Sequence, residues 1–225
     1  MGWSFRKEDK KNIEPLKNKP MPAQAPITKK IPLTSNQYYQ GVYTKKHIIL
    51  HHTAGGSAAS SIAGWAATPE HIATPYVVDR NGDIFECFDP KYWAYSLGVK
   101  GQTGLEKATI AIEIACYGAL TAKNGKWVTY TGKEIPAGQT VKLDAPFRGF
   151  LVWEAYTPEQ IASLKLLLPY LIDKFKIILQ ADRKNFWEFQ NPATLPTGIY
   201  SHTTVRKDKI DIFPQKELVD LVYSL

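Results

Sequence analysis

Residues 48–56 read "IILHHTAGG", and this stretch decides how the rest of the chain is arranged. A short continuous apolar run, with His47 just before it, reads as a strand buried on both faces, the kind found in the middle of a sheet covered by helices. It ends in two adjacent histidines, His51 and His52. Neighbouring strand residues point to opposite faces, so the two imidazoles cannot serve one purpose. Around this strand the pattern alternates. "SAASSIAGWAA" (57–67) carries small residues at helical spacing, and "TPYVVDRNGDIFECF" (74–88) reads as a hairpin whose Asn81-Gly82 supply the positive φ angles of a tight two-residue turn. "ATIAIEIACYG" (108–118) is another strand, and residues 119–150 form an irregular excursion with a short hairpin around "GKWVTYTGKE". "YTPEQIASLKLLLPYLIDKF" (156–175) is the clearest helix. Thr157 stands at its N-cap, Pro158 in the first turn and Gln160 at the capping-box position, and Ile161, Leu164, Leu168, Leu171 and Phe175 follow a 3–4 spacing, with Pro169 expected to kink it. "GIYSHTTVRKDKIDIFP" (198–214) and an amphipathic "QKELVDLVYSL" (215–225) close the chain. Strands interspersed with helices predict an α/β fold, a single domain with a central mixed β-sheet flanked by helices.

Charge divides the chain. The net charge is +7, yet residues 1–46 alone hold ten Lys/Arg against three acids, so residues 47–225 sum to zero. The expected organisation is a basic Pro/Lys-rich leader over 1–40 and one domain over 41–225. A neutral domain argues against a nucleic-acid partner, whereas the leader fits either a solvated linker or arm, or a contact with an anionic envelope surface. No apolar run is long enough to span a membrane. "MGWSFRKEDKKN" lacks the apolar segment of a secretory signal, and Arg6 breaks the myristoylation pattern, so the expectation is a chain made and first kept in the cytoplasm. Cys87 and Cys116 sit in strand-like runs and read as two buried thiols, neither a disulfide framework nor part of a CxxC zinc site. A monomer is expected.

Three features carry chemistry. The chain has five histidines, and a buried strand ending in His-His-Thr is an unusual place for imidazoles unless something binds them; taken alone, a satisfied or solvent-facing histidine is the plainer account. In "SHTTVRKDKID", His202 and Asp211 are separated by eight residues, with Lys209 two before the aspartate. Alone this is a charged surface loop. Joined to a strand-end imidazole it makes three N/O ligands, the donor count of a catalytic zinc with one open position. Glu113 in "TIAIEIA" shares its strand face with Thr109, Ala111 and Ala115. That face is either simply wet, or it buries a carboxylate that must be paired or used; a glutamate beside the attacking water is the usual general base of a hydrolase.

Together, "IILHHTAGG", "YVVDRNGDIFE", "WAYSLG", "TIAIEIA" and "SHTTVRKDKID", in this order, resemble the zinc-dependent N-acetylmuramoyl-L-alanine amidases, the family that includes phage lysozyme-type amidases and the peptidoglycan-recognition proteins. The resemblance covers roughly residues 44–220. It implies Zn²⁺ held by His51, His202 and Asp211, with Glu113 as base and Lys209 polarising the scissile carbonyl. It leaves His52 on the opposite side, in the core or beside the ligands. It implies hydrolysis of the bond between N-acetylmuramic acid and L-alanine in bacterial peptidoglycan or muropeptides. Thr74, Tyr76, Trp93 and Ser96 are candidate substrate contacts, as are Trp187 and Tyr200, although core packing competes for these aromatics. Ser96 and Thr74 also mark departures, since relatives often carry His in the "WAYSLG" segment and Tyr or His before the "YVVDRNG" strand. A phage-type endolysin released through holin pores, a cytosolic muropeptide-recycling amidase and a non-catalytic peptidoglycan-binding module of the same fold all remain open at this point.

Overall fold

The computed structural model describes residues 29–180, 183 and 186–225. Its elements, in chain order, are β1 (Lys29–Lys30), β2 (His47–His52), α1 (Ala58–Ala66), β3 (Tyr76–Val78), β4 (Ile84–Glu86), α2 (Thr103–Ala108), β5 (Thr109–Ile114), β6 (Thr121–Lys123), β7 (Lys126–Val128), β8 (Glu134–Ile135), β9 (Thr140–Phe147), β10 (Phe150–Glu154), α3 (Pro158–Phe175), β11 (Gly198–Ser201), α4 (His202–Val205) and α5 (Lys216–Ser224). Six strands form the central sheet in the order β1-β4-β3-β5-β2-β11. The pairs β3–β5, β5–β2 and β2–β11 are parallel and β3–β4 is antiparallel, so the sheet is mixed, as the alternating pattern predicts.

All six residues of β2 are buried, which follows from its central place and the cover on both faces. One face packs Ile48, Leu50, Ile110, Ile112, Ile114 and Ile199 against Leu164, Leu167, Leu168 and Leu171 of α3 and Leu218, Leu221 and Val222 of α5. The capping box on α3 is present, with Thr157 accepting from the Gln160 amide and Gln160 returning to the Thr157 amide, and the helix runs through Pro169 to Phe175. Against the other face lie Ala58 and Ile62 of α1, with Val77 and Phe85, and separately Leu97, Leu105 and Val205 around Ile49 and Tyr200.

The β3–β4 hairpin forms, but not with a two-residue turn. Gly82 has φ +82°, whereas Asn81 is not among the residues of positive φ. The Gly82 amide donates to the Asp79 carbonyl (2.9 Å) and the Asp79 amide to the Asp83 carbonyl (2.8 Å), the pattern of a three-residue loop closed by a left-handed glycine. The excursion after β5 contains a three-stranded sheet, β6-β7-β8, and the β9–β10 hairpin. Residues 29–39 pack on the domain: Lys29–Lys30 pair with β4, Leu33 is buried, and Tyr38 stacks on Phe88 and Tyr92. Most of the leader, residues 1–28, lies outside the described residues. Both cysteines are buried and free. Among the described residues no helix is long and apolar enough to cross a membrane.

One ion pair joins the hairpin, the excursion and the loop after β2. Arg80 donates to both carboxylate oxygens of Glu154 (2.5 and 2.8 Å) and to the Gly56 carbonyl (2.7 Å), and Glu154 also accepts from the Tyr117 amide (2.6 Å). Removing one partner of a buried pair leaves the other charge desolvated. Arg80→Ala is therefore expected to cost about 3 kcal/mol in chemical denaturation; a loss under about 1 kcal/mol would show the pair to be an ordinary surface bridge.

Candidate metal centre

The parallel strands β2, β5 and β11 end at the same edge of the sheet, and the three chemistry-bearing segments come from those ends. Carboxyl ends of parallel strands are where α/β folds place their sites. His51 is the fifth residue of β2, and Glu113 lies opposite it in register on β5. His202 follows directly on β11 and opens α4, and the chain returns through Asp211, whose carbonyl accepts from the Thr203 amide (3.0 Å).

His51 Nδ1 lies 3.0 Å from His202 Nδ1, and Asp211 Oδ2 lies 2.9 Å from His202 Nδ1 and 3.3 Å from His51 Nδ1. All three residues are buried. A tetrahedral ion with bonds of about 2.0–2.1 Å holds its ligands about 3.3 Å apart, so this triangle has the size of one face of such a polyhedron. The protonation pattern points the same way. His202 Nε2 is 2.9 Å from the Leu97 carbonyl, which can only accept, so Nε2 carries hydrogen and Nδ1 is the ring nitrogen turned toward Asp211. So close an approach of a ring nitrogen to a carboxylate oxygen needs a proton or a cation between them. Two imidazoles and a carboxylate form a donor set that suits zinc. The residues present fit the group.

The electrostatics are set by burial. Burial, and next the neighbouring His202, push the His51 imidazole down to about 4, so at neutral pH it is the neutral form that could bind a metal. Burial alone would raise Asp211, but hydrogen bonds from His202 and His51 hold its carboxyl well below the usual range. Burial, reinforced by the Asp211 charge, pushes Glu113 well above the ordinary carboxylate value, while Lys209 pulls it back. Glu113 keeps some accessible surface as a residue, yet its Oε2 is enclosed and without a hydrogen-bond partner, as is Nε2 of His51.

His52 sits on the other side of the sheet, buried, with Nδ1 3.4 Å from the Tyr156 hydroxyl and its ring near Trp153. The pair of histidines thus divides between site and core. The structure brings His51, His202, Asp211, Glu113 and Lys209 together. It does not bring the proposed substrate aromatics with them. Tyr76 pairs with Ile112 in register and so belongs to the face opposite Glu113; it is fully buried in the α3-side core and its hydroxyl reaches Glu86. Thr74 is buried with its hydroxyl donating to the Tyr76 carbonyl (2.9 Å). Trp93 is buried, stacked on Tyr39. Trp187 is packed edge-on against Phe186, and Tyr200 donates to the Pro196 carbonyl beneath the site. The reason is common to the four aromatics: a large ring at a sheet or loop junction stabilises more as core than as rim. Ser96 does adjoin the site, but its amide and hydroxyl both donate to Glu106 (3.0 and 3.2 Å). Glu106, the Leu97 carbonyl and Arg206 are the participants that sequence reading missed; a lone glutamate in "TGLEKA" carries no motif.

Three donor atoms converging beside an unpartnered carboxylate define a centre of the kind metal hydrolases use. Over residues 42–214 the sequence matches the N-acetylmuramoyl-L-alanine amidase family, and the chain belongs to that family. Among solved structures it is similar to a complex of the N-acetylmuramyl-L-alanine amidase AmiD from E. coli, at 19% identity over 83% of this chain and 59% of that one, with a TM-score of 0.52. Similarity extends to the catalytic domain of XlyA (15% identity, 85% and 92% covered, TM-score 0.48) and to the amidase LysC from Clostridium intestinale (13%, 85% and 93%, 0.44). At 19% identity the likeness to AmiD speaks to the fold alone. No curated protein sequence matches the chain.

A carboxyl raised by burial favours the folded state below its unfolded value near 4.5 and loses that advantage as pH rises toward its folded value. In chelator-treated protein, Glu113→Gln is therefore expected to raise the thermal midpoint by about 2–4 °C at pH 8 and much less at pH 5. Equal melting of both proteins at both pH values would mean that Glu113 is solvated.

Proposed function

We propose that this chain is a zinc-dependent amidase that hydrolyses the bond between the lactyl group of N-acetylmuramic acid and the L-alanine of the peptidoglycan stem peptide. The observation that carries the reading is the convergence of His51 Nδ1, His202 Nδ1 and Asp211 Oδ2 at the strand ends, beside Glu113, in a chain of the amidase family. The AmiD complex was solved with the substrate anhydro-N-acetylmuramic acid-L-Ala-D-gamma-Glu-L-Lys, which contains the same linkage.

His51, His202 and Asp211 would hold the ion. When bound, zinc supplies a Lewis acid that brings the pKa of water toward 7 and polarises a carbonyl. Glu113 takes the proton of the attacking water and returns it to the leaving amine. Burial raises its affinity for that proton and the Lys209 charge lowers it, opposing influences on a group that must both take up and give back a proton. Lys209 stabilises the oxyanion that develops on the scissile carbonyl.

Digestion of purified sacculi, followed by the appearance of free L-alanyl amino termini, tests this. Release is expected to stop with chelator, return with zinc and vanish in Glu113→Ala; Lys209→Ala is expected to lower turnover about 10²–10³-fold with one zinc still bound. Stoichiometric zinc without new termini would make the chain a peptidoglycan-binding module instead.

The setting we favour is an endolysin made in the cytoplasm, released through holin pores and acting as a monomer, with the basic leader touching an anionic envelope surface. That expectation concerns mainly residues 1–28, outside the described part of the structure, and it rests on their charge. A chain lacking residues 1–28 is expected to lyse cell walls more slowly at low salt than the full chain. Equal lysis would remove the attachment role.

A further inference from the structure

Glu106 lies in α2, its carboxylate buried beneath the loop that runs from Trp93 to Gly98. It accepts the amides of three consecutive residues: Ser96 (3.0 Å), Leu97 (3.1 and 3.2 Å to its two oxygens) and Gly98 (3.0 Å). The Ser96 hydroxyl adds a further donor at 3.2 Å. Successive amides wrapped on one anion form a nest, and each peptide plane in it is fixed by the anion it serves. Gly98 makes the wrap possible with φ +62°.

What the nest turns outward is the Leu97 carbonyl. It accepts from His202 Nε2 at 2.9 Å, and Arg206 Nη1 donates to it (3.3 Å) and to the Gly98 carbonyl (2.9 Å). His202 therefore receives its orientation from a peptide group held by Glu106 on one side and Arg206 on the other. Partners of this kind, which hold the far nitrogen of a ligating histidine, fix both its ring orientation and the nitrogen left free for the ion.

We propose that Glu106 is a positioning residue for the metal: through the Leu97 peptide it keeps hydrogen on His202 Nε2 and aims Nδ1 at His51 and Asp211. The proposal rests on the metal-centre reading above. Ser96 takes part as the donor that completes the nest.

The test uses the full chain and Glu106→Gln, which keeps the size of the side chain but removes its charge and replaces one of the two accepting oxygens with a donor NH2. Two quantities are read: hydrogen exchange of the His202 Nε2–H by ¹⁵N NMR, with and without zinc, and zinc affinity by competition with a chromogenic chelator. The native chain is expected to show a slowly exchanging Nε2–H. The variant is expected to exchange it at least about tenfold faster and to bind zinc about 10–100-fold more weakly, with an unchanged far-UV spectrum. A folded variant with native exchange and zinc affinity within twofold would overturn the proposal and leave Glu106 as a tie for the loop. If Glu106→Gln does not fold, Ser96→Ala carries the same two readouts, with a several-fold weaker zinc affinity expected and an unchanged one overturning the idea. If the native chain itself binds no zinc, the metal-centre reading fails on that result alone, while the link from Glu106 to His202 is still judged by the exchange rate.

Discussion

Register at the centre of the sheet governs this molecule. β2 lies between β5 and β11, all three parallel, and side chains alternate strictly between faces. His51 and Glu113 therefore stand side by side on one face, while Ile48, Leu50, Ile110 and Ile112 stand together on the other, under α3 and α5. A slip of one residue would send His51 into the helix-covered core and bring His52 into the site, exchanging every apolar partner with it. The cost of such a slip is the whole apolar face, so the packing of α3 on the sheet is also what aims His51.

Four buried or enclosed carboxylates surround this centre, and each meets the cost of burial differently. Glu154 takes a bidentate guanidinium from Arg80, Glu106 takes three successive backbone amides, and Asp211 takes two imidazoles. Glu113 alone has an enclosed oxygen with no partner. The first two brace the loops on which the ligands depend: Arg80 and Glu154 hold the turn after His51, and Glu106 holds the peptide that meets His202. Glu154 and Glu106 thus serve structure, Asp211 sits in the group that could hold a metal, and Glu113 is the carboxylate whose enclosed oxygen stays unpaired.

The hairpin tip of the excursion also bears on the centre. Arg148, between β9 and β10, donates to the carbonyls of Lys207 (3.1 Å) and Thr203 (3.3 Å), inside the segment that carries His202, Lys209 and Asp211. Tyr130 reaches from the three-stranded sheet to the Ala54 carbonyl (3.0 Å) in the loop after His51. What reads in sequence as an irregular interruption thus braces both ligand-bearing loops.

From the sequence alone, the class of fold, the buried central strand, the capped helix α3 and the cluster of His51, His202, Asp211, Glu113 and Lys209 could all be read. Periodicity and capping are local properties, whereas the cluster was implied by the resemblance of five ordered segments to the amidase family, each with a plainer reading when taken alone. The sequence could not say which residues share a face across strands, because parallel pairing is set by contacts far apart in the chain. Tyr76 and Thr74 were for that reason candidates for substrate, and the register with Ile112 turns Tyr76 into the core. Lys45 counted only among the basic residues of positions 1–46, whereas the fold buries it on the carbonyls of Tyr92, Lys107 and Thr109, where desolvation pushes its ammonium down to about 8. Glu106 was silent for the same reason: its meaning lies in three amides and one carbonyl, and backbone groups carry no sequence signature, so only tertiary structure could place them around a carboxylate and against His202.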